Sequence, residues 1–413
     1  MRPLLKSLRM RAALCLDRVD HLFSRILLKL PLPSRAGLGL GAFFLRLGFV
    51  SSALILLRKA LAPYRKELEN PAPCLVPRGS DRQVLCSVII PTYNRADSLA
   101  RCLSSLELQT LRPENFEVIV VNNACTDHTD QVCQSYAPKF AYFSMVREPE
   151  PGLLAARHAG WRAAAADALV FCDDDIEASP EWLESIAAVF AGDPEVVLVG
   201  GNDVPAFEVP PPAWMDALWS ESDGIRCNGY YSVLEGIDAP RQASASWLVF
   251  GCNYAIRRSA LEKAGGFEPD LPANILFQGG GETGIACVIT DQGGKVFWHP
   301  GASIRHHMPA SRLSLDYMYK RGAFSAVVAL YSYLRRGEGL PPLSGSGIWP
   351  SHANPALERF HSGFRMAQTA YAQAVFASPE LRAWITKPTY LGSESPPEKA
   401  LRNCRELAGR FGW

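Results

Sequence analysis

Three adjacent carboxylates, Asp173, Asp174 and Asp175, follow directly on the apolar run A-L-V-F-C. Neighbouring carboxylates repel one another, and a divalent cation relieves the repulsion: Mg²⁺ or Mn²⁺ takes carboxylate oxygens and keeps positions for substrate phosphates. In an extended segment alternate side chains point the same way, which puts Asp173 and Asp175 on one side and Asp174 on the other. The competing reading is a solvated acidic cap on a helix starting near Ser179-Pro180-Glu181-Trp182. Two further apolar runs end in polar residues. C-S-V-I-I leads to Thr92-Tyr93-Asn94-Arg95, and F-E-V-I-V-V to Asn122-Asn123; either alone reads as ordinary turn chemistry. The later motif G-G-G-E-T sets Glu282 behind Gly279, Gly280 and Gly281, which let a loop move or approach a ligand closely. A carboxylate in the first turn of a helix is the alternative there.

Positioning such residues requires a sheet. Short continuous apolar runs alternate with helical patterns: Ala96 to Gln109, with Ala96, Leu99, Leu103 and Leu106 on one face, then Val132 to Tyr136, capped by Thr126 and Asp127, then Leu154 to Ala166. This rhythm predicts an α/β fold, a mostly parallel central sheet with helices on both faces. Ligands of an open parallel sheet sit beyond the carboxyl ends of its strands, where the polar residues above fall. V-V-L-V-G-G reads as another strand, and the prolines of V-P-A-F-E-V-P-P-P-A-W exclude regular structure. Helices are expected again over Leu313–Arg335 and Asn354–Phe376.

The 413 residues leave room for one large α/β domain with additions. Acids and bases nearly balance at net +1, so no global charge argues for nucleic acid as a partner. Eleven cysteines are scattered without a C-x-x-C pair, and most read as small buried hydrophobes in a reducing compartment, a bridge or metal site being the alternative. Residues 1–70 read as a basic, amphipathic and apolar helical region. Its cationic face suits an anionic membrane surface; packing on the domain or on a partner, and a true span over residues 36–57 interrupted by Arg46, are the other readings. No signal-peptidase site follows, so the expected location is cytoplasmic, with peripheral membrane contact at the inner face through residues 1–57. Residues 71–85, rich in proline and polar side chains, make a linker.

The ordered set P-T-Y-N-R, V-V-N-N-A-C-T-D, P-G-L-L-A-A-R-H, F-C-D-D-D-I-E-A-S-P-E-W-L, G-C-N-Y-A-I-R-R-S-A-L-E-K-A-G-G-F, G-G-G-E-T and I-R-H-H-M-P resembles the family 2 glycosyltransferases over residues 86–310. The resemblance implies a GT-A fold and an inverting, metal-dependent transfer from a nucleotide-sugar donor to a glycan, lipid-linked or other hydroxyl acceptor, while residues 311–413 read from their own pattern as a helical extension. By the same resemblance Thr92 and Tyr93 border the base and ribose, and Asn122 stands where the family usually has a base-binding aspartate. Arg157 matches an arginine near the base and diphosphate; His158 stands where asparagine is commoner. Asp173 and Asp175 match the metal-binding D-x-D, Asp174 lies near the ribose or sugar, and His306 matches a late histidine at the metal or diphosphate, with His307 its competitor. Glu282 is the implied general base, although Thr283 replaces the second acid of the family's pair. Trp247 and Trp298 are candidates for stacking on a sugar or for the core.

Two other functions compete. A nucleotidyltransferase or another nucleotide-sugar enzyme normally follows its first strand with a glycine-rich basic loop, which P-T-Y-N-R is not. An inactive binding or scaffold protein is suggested by Asn122 and Thr283 and opposed by the intact aspartate triplet and Glu282. The sugar, nucleotide and acceptor are not legible in the sequence.

Overall fold

The computed structural model describes residues 84–149, 152–243, 248–267, 281–335 and 354–377, together with residues 379 and 383. The expectations for residues 1–70, most of the linker, Trp247, Gly279 and Gly280 lie outside them. The protein divides into two units, Met1–Pro73 and Cys74–Trp413, and the description below concerns the second.

The elements run β1 (Cys86–Thr92), α1 (Ala96–Leu106), β2 (Phe116–Asn123), α2 (Thr129–Tyr136), β3 (Phe143–Glu148), α3 (Leu153–Ala163), β4 (Ala168–Cys172), β5 (Ile176–Ala178), α4 (Trp182–Gly192), β6 (Val196–Gly200) and β7 (Asp203–Phe207). They continue with β8 (Ser220–Ser222), β9 (Ile225–Asn228), β10 (Val233–Glu235), β11 (Arg241–Gln242), β12 (Asn253–Arg257), α5 (Arg258–Lys263), α6 (Gly281–Asp291), β13 (Lys295–Trp298), β14 (Ile304–Met308), α7 (Leu315–Arg335) and α8 (Pro355–Ala377). The α/β class read from the sequence is therefore present. Among the described residues the main sheet has the order β11-β13-β6-β12-β4-β1-β2-β3. β4, β1, β2 and β3 are parallel, β12 runs against both β4 and β6, and β13 runs parallel to β6.

Both faces of β1 are buried, which is why its sequence does not alternate. Val88 and Ile90 enter one core with α1 and α4, and Ile89 enters the other with α3, α5 and α6. All four predicted face residues of α1 are buried. α3 can lie tightly on the sheet because of Gly160: a Cβ there would stand 2.3 Å from Ile89 Cγ2. The helix ends at Ala163 rather than Ala166, since Ala164 turns to extended backbone. The Glu117 carboxylate and Ser87 hydroxyl then accept the amides of Ala165 and Ala166.

A second sheet has the order β5-β14-β7-β10-β9-β8. It contains Pro205 within β7, contrary to the expectation that prolines would exclude regular structure there. β7 pairs with β14 along its whole length but with β10 only at Asp203, so the missing amide of Pro205 deprives no neighbouring strand. α7 and α8 lie against each other with glycines at the crossing: a Cβ on Gly322 would meet the Phe360 carbonyl, and one on Gly363 the Tyr319 carbonyl. Met318, Ala356 and Phe360 join Met215, Tyr231, Val233 and Met308 in a third core, which attaches the helical pair to the second sheet. Six of the eight described cysteines are buried. Among the described residues no helix is long and apolar enough to cross a membrane.

Candidate active site

Parallel register aligns the strand ends. Thr92 pairs with Asn122 across β1 and β2, and β4 stops one residue before the aspartate triplet. The loops beyond are tied to one another. Asp127 accepts the Ala96 amide at the start of α1 (3.0 Å) and the Thr129 amide at the start of α2 (3.1 Å), so one carboxylate serves two helix N-termini. Asn94, left-handed at φ 52°, accepts the Thr126 amide at 2.7 Å.

Thr92 and Asn122 are buried, whereas Tyr93 is 54% exposed. Asn122 commits both ends of its amide: Nδ2 donates to Asp130 Oδ1 at 2.7 Å, and Oδ1 accepts the Cys125 amide at 2.9 Å. Asp130 is also paired with Arg147. A carboxylate therefore lies beside the position where the family's aspartate was missing. Asn123 holds the loop before α3, accepting the Gly152 amide at 2.7 Å and donating to the Glu148 carbonyl at 3.1 Å.

The triplet splits, with Asp174 and Asp175 in a turn between β4 and β5. Asp174 turns toward β1, where Thr92 Oγ1 donates to it at 2.7 Å and Arg95 pairs with it at 2.8 Å. Burial pushes the Asp174 carboxyl up to about 7 against the pull of Arg95, and the neighbouring Asp175 adds to the rise. Asp173 and Asp175 gather with His306 from β14, their ligand atoms all within 4.8 Å of one another. Burial alone would raise the Asp175 carboxyl, but a protonated His306, with Arg312 and Arg95, outweighs it and holds it below the usual carboxylate range when no cation is bound.

This cluster fits a divalent cation. In the neutral imidazole that a cation would require, a proton on Nδ1, 3.3 Å from the Ser232 carbonyl, leaves the Nε2 lone pair facing Asp175 Oδ1 at 3.5 Å. Asp175 Oδ1 is buried and has no hydrogen-bond donor. Two acceptors facing each other in a buried pocket, with Asp173 beside them, form a donor set of the kind a divalent ion takes. His307 diverges from the cluster: its side chain meets Glu177 at 2.7 Å, and only its amide touches Asp175, through the backbone carbonyl.

Arg157, buried on α3, connects this cluster to Glu282. Its Nη1 donates to Glu282 Oε2 at 3.0 Å, and its Nη2 donates to the Gly251 carbonyl at 3.0 Å and lies 3.6 Å from Asp173 Oδ1. Glu282 stands in the first turn of α6, and Tyr254 Oη reaches its carbonyl at 3.4 Å. Gly251, of the G-C-N segment, is required by crowding: a Cβ would lie 2.6 Å from Arg157 Nη2 and 2.7 Å from Glu282 Oε1. His158 turns away from the site, accepts the Phe267 amide at 3.0 Å and packs on Trp161 and Phe267. Trp298 is a core residue, 1% exposed.

Sequence reasoning missed two arginines. Arg95 reaches Asp174 at 2.8 Å and Asp175 at 2.6 Å, and Arg312 reaches Asp175 at 3.0 Å. Arg95 closes the P-T-Y-N-R motif, so its position beside the triplet was open to inference; Arg312 carried no local signal.

A mostly parallel sheet with an acidic D-x-D at the end of a buried strand, faced by a histidine from a later strand and a carboxylate at a helix start, is the arrangement that the resemblance to GT-A glycosyltransferases implied. The sequence model of Glycosyl transferase family 2 matches residues 87–265. Among curated proteins, validoxylamine A glucosyltransferase of Streptomyces hygroscopicus subsp. limoneus is 38% identical over 127 residues, 30% of this chain and 28% of that protein. Glycosyltransferase AglE of Haloferax volcanii is 34% identical over 117 residues, 28% of this chain and 38% of that protein. The chain thus aligns with well under half the length of either relative. Among solved structures, the mannosyltransferase PcManGT from Pyrobaculum calidifontis, in complex with GDP-Man and Mn²⁺, is similar at a TM-score of 0.46 and 20% identity, over 84% of this chain and 90% of that one.

Proposed function

We propose that the protein transfers a sugar from a nucleoside-diphosphate sugar to an acceptor hydroxyl with inversion at the anomeric carbon, dependent on Mg²⁺ or Mn²⁺. The observation that carries this reading is the convergence of Asp173, Asp175 and His306 within 4.8 Å, with Asp175 Oδ1 buried and lacking a donor. When bound, the cation would neutralise charge on the departing diphosphate. Thr92 fixes Asp174, which faces the ribose or sugar in this scheme, while Thr92, Tyr93 and Asn122 border the nucleoside. Arg157 links the donor side, through Asp173, to Glu282.

Glu282 accepts the acceptor hydroxyl's proton as that oxygen bonds to the anomeric carbon and the bond to the diphosphate oxygen breaks on the opposite face. The guanidinium of Arg157 fixes the orientation of this carboxylate, leaving Oε1 as the oxygen to receive the proton. In the same proposal the catalytic domain covers residues 86–310, with the helical extension at 311–413. Residues 1–57 make peripheral contact with an anionic membrane, on the ground of their cationic amphipathic pattern alone.

Glu282→Gln keeps the shape and removes the basicity. It should lower turnover roughly a hundredfold to ten-thousandfold and leave donor affinity, measured by calorimetry with Mn²⁺, nearly unchanged. Proportionate loss of donor binding would make Glu282 a donor-side or structural residue, and an unchanged rate would remove it from the mechanism.

A further inference from the structure

The geometry points to Arg312 as a guanidinium that contests the cation site and, when displaced from it, binds the donor diphosphate; this rests on the metal-dependent reading above. Its Nη2 lies 3.0 Å from Asp175 Oδ2 and its Nη1 3.3 Å from His306 Nε2. Those two residues supply two of the three atoms of the cation cluster. With the ring proton on Nδ1 toward Ser232, His306 Nε2 offers a single lone pair. An N–H of Arg312 and a metal ion cannot both occupy it, so one excludes the other.

The surroundings allow the exchange without refolding. The Arg312 backbone is fixed, its carbonyl accepting Tyr231 Oη at 3.1 Å and its amide donating to the Pro309 carbonyl at 2.9 Å. Its side chain is 27% exposed, against 2% for that of Asp175, so the guanidinium has a solvent side to move into. Asp175 is not left uncompensated when Arg312 departs, because Arg95 holds Oδ2 at 2.6 Å and the cation takes Oδ1. A cation of this kind keeps positions for substrate phosphates, and a planar guanidinium within one side chain's reach is suited to bidentate bonds with phosphate oxygens. Arg312 thereby links metal loading to donor binding: it weakens the empty protein's hold on the ion and strengthens its hold on the metal–diphosphate pair.

The test uses the full-length protein and two separate binding readouts, Mn²⁺ alone by electron paramagnetic resonance, and UDP or GDP by calorimetry in saturating Mn²⁺. Arg312→Ala should bind Mn²⁺ alone about tenfold more tightly, since a competing charge-assisted bond is gone. The same variant should bind the nucleoside diphosphate about tenfold more weakly. Arg312→Gln, which keeps part of the side chain's packing, should shift both constants in the same directions. Arg305→Ala removes an equal charge from β14, where Arg305 pairs with Glu177 at 3.7 Å, and should move neither. Mn²⁺ binding that is weaker or unchanged in both Arg312 variants overturns the inference, as does an equal tightening in Arg305→Ala. Wild-type protein that takes up no Mn²⁺ would instead sink the cation site itself.

Discussion

Gly251→Ala tests the arrangement around Glu282 without touching a charged group. The added Cβ would stand 2.6 Å from Arg157 Nη2 and 2.7 Å from Glu282 Oε1, whereas ordinary contact begins at 3.4 Å. Both side chains must therefore retreat by about 0.7–0.8 Å, within a pair whose arginine is buried and whose glutamate side chain is 12% exposed. Overpacking of this size costs roughly 1–3 kcal/mol, so the variant should fold, with a melting midpoint lower by roughly 2–10 °C. Catalysis is the more sensitive quantity, because misplacing a reacting group by about 1 Å costs up to about a hundredfold. Turnover, followed as Mn²⁺-dependent release of nucleoside diphosphate from a sugar nucleotide, should drop about tenfold to a hundredfold while donor affinity changes little. Gly192→Ala, where an added Cβ meets nothing within 4 Å, is the control. A Gly251→Ala enzyme with wild-type turnover would refute the idea that Arg157 must hold Glu282 in its present place.

Asp175→Ala should abolish Mn²⁺ binding measured by paramagnetic resonance, and transfer with it, and far-ultraviolet circular dichroism should remain that of the wild type. Burial, with Arg162 adding to it, depresses the His158 imidazole from 6.5 to about 4, so the unfolded state takes up a proton in that interval that the folded protein does not. Stability is therefore complete above about pH 6.5 and declines by about 3 kcal/mol as pH falls toward 4. His158→Gln, which keeps an acceptor for the Phe267 amide, should flatten that part of a denaturation series. Ala124 sits at φ 57° in the loop after β2, and Ala124→Gly should raise the urea midpoint, the strain relieved being on the order of 1 kcal/mol.

Local patterning was enough to announce the sheet and the strand ends. Runs such as C-S-V-I-I and A-L-V-F-C are apolar or small throughout because both faces of β1 and β4 are covered, and continuous burial leaves a local trace. The division of the triplet was anticipated from extended alternation, but Asp174 and Asp175 lie in a turn, and it is the turn between β4 and β5 that separates them. Pro205 misled because a missing amide matters only when a strand lies beside it, and strand neighbours are set by topology. Which histidine faced the cluster also awaited the fold: His306 and His307 are adjacent, and the placement of β14 between β5 and β7 turned one toward Asp175 and the other toward Glu177. Arg157 and Glu282 are 125 residues apart, and their pairing exists only because α3 and α6 cover the same face of the sheet. Arg312 is more distant still from Asp175 in sequence, and long flexible cations leave no periodicity that announces their partners. Local pattern specified what each strand end carried; three-dimensional packing decided which charges would meet there, because a charge's energy depends on neighbours supplied from far away in the sequence.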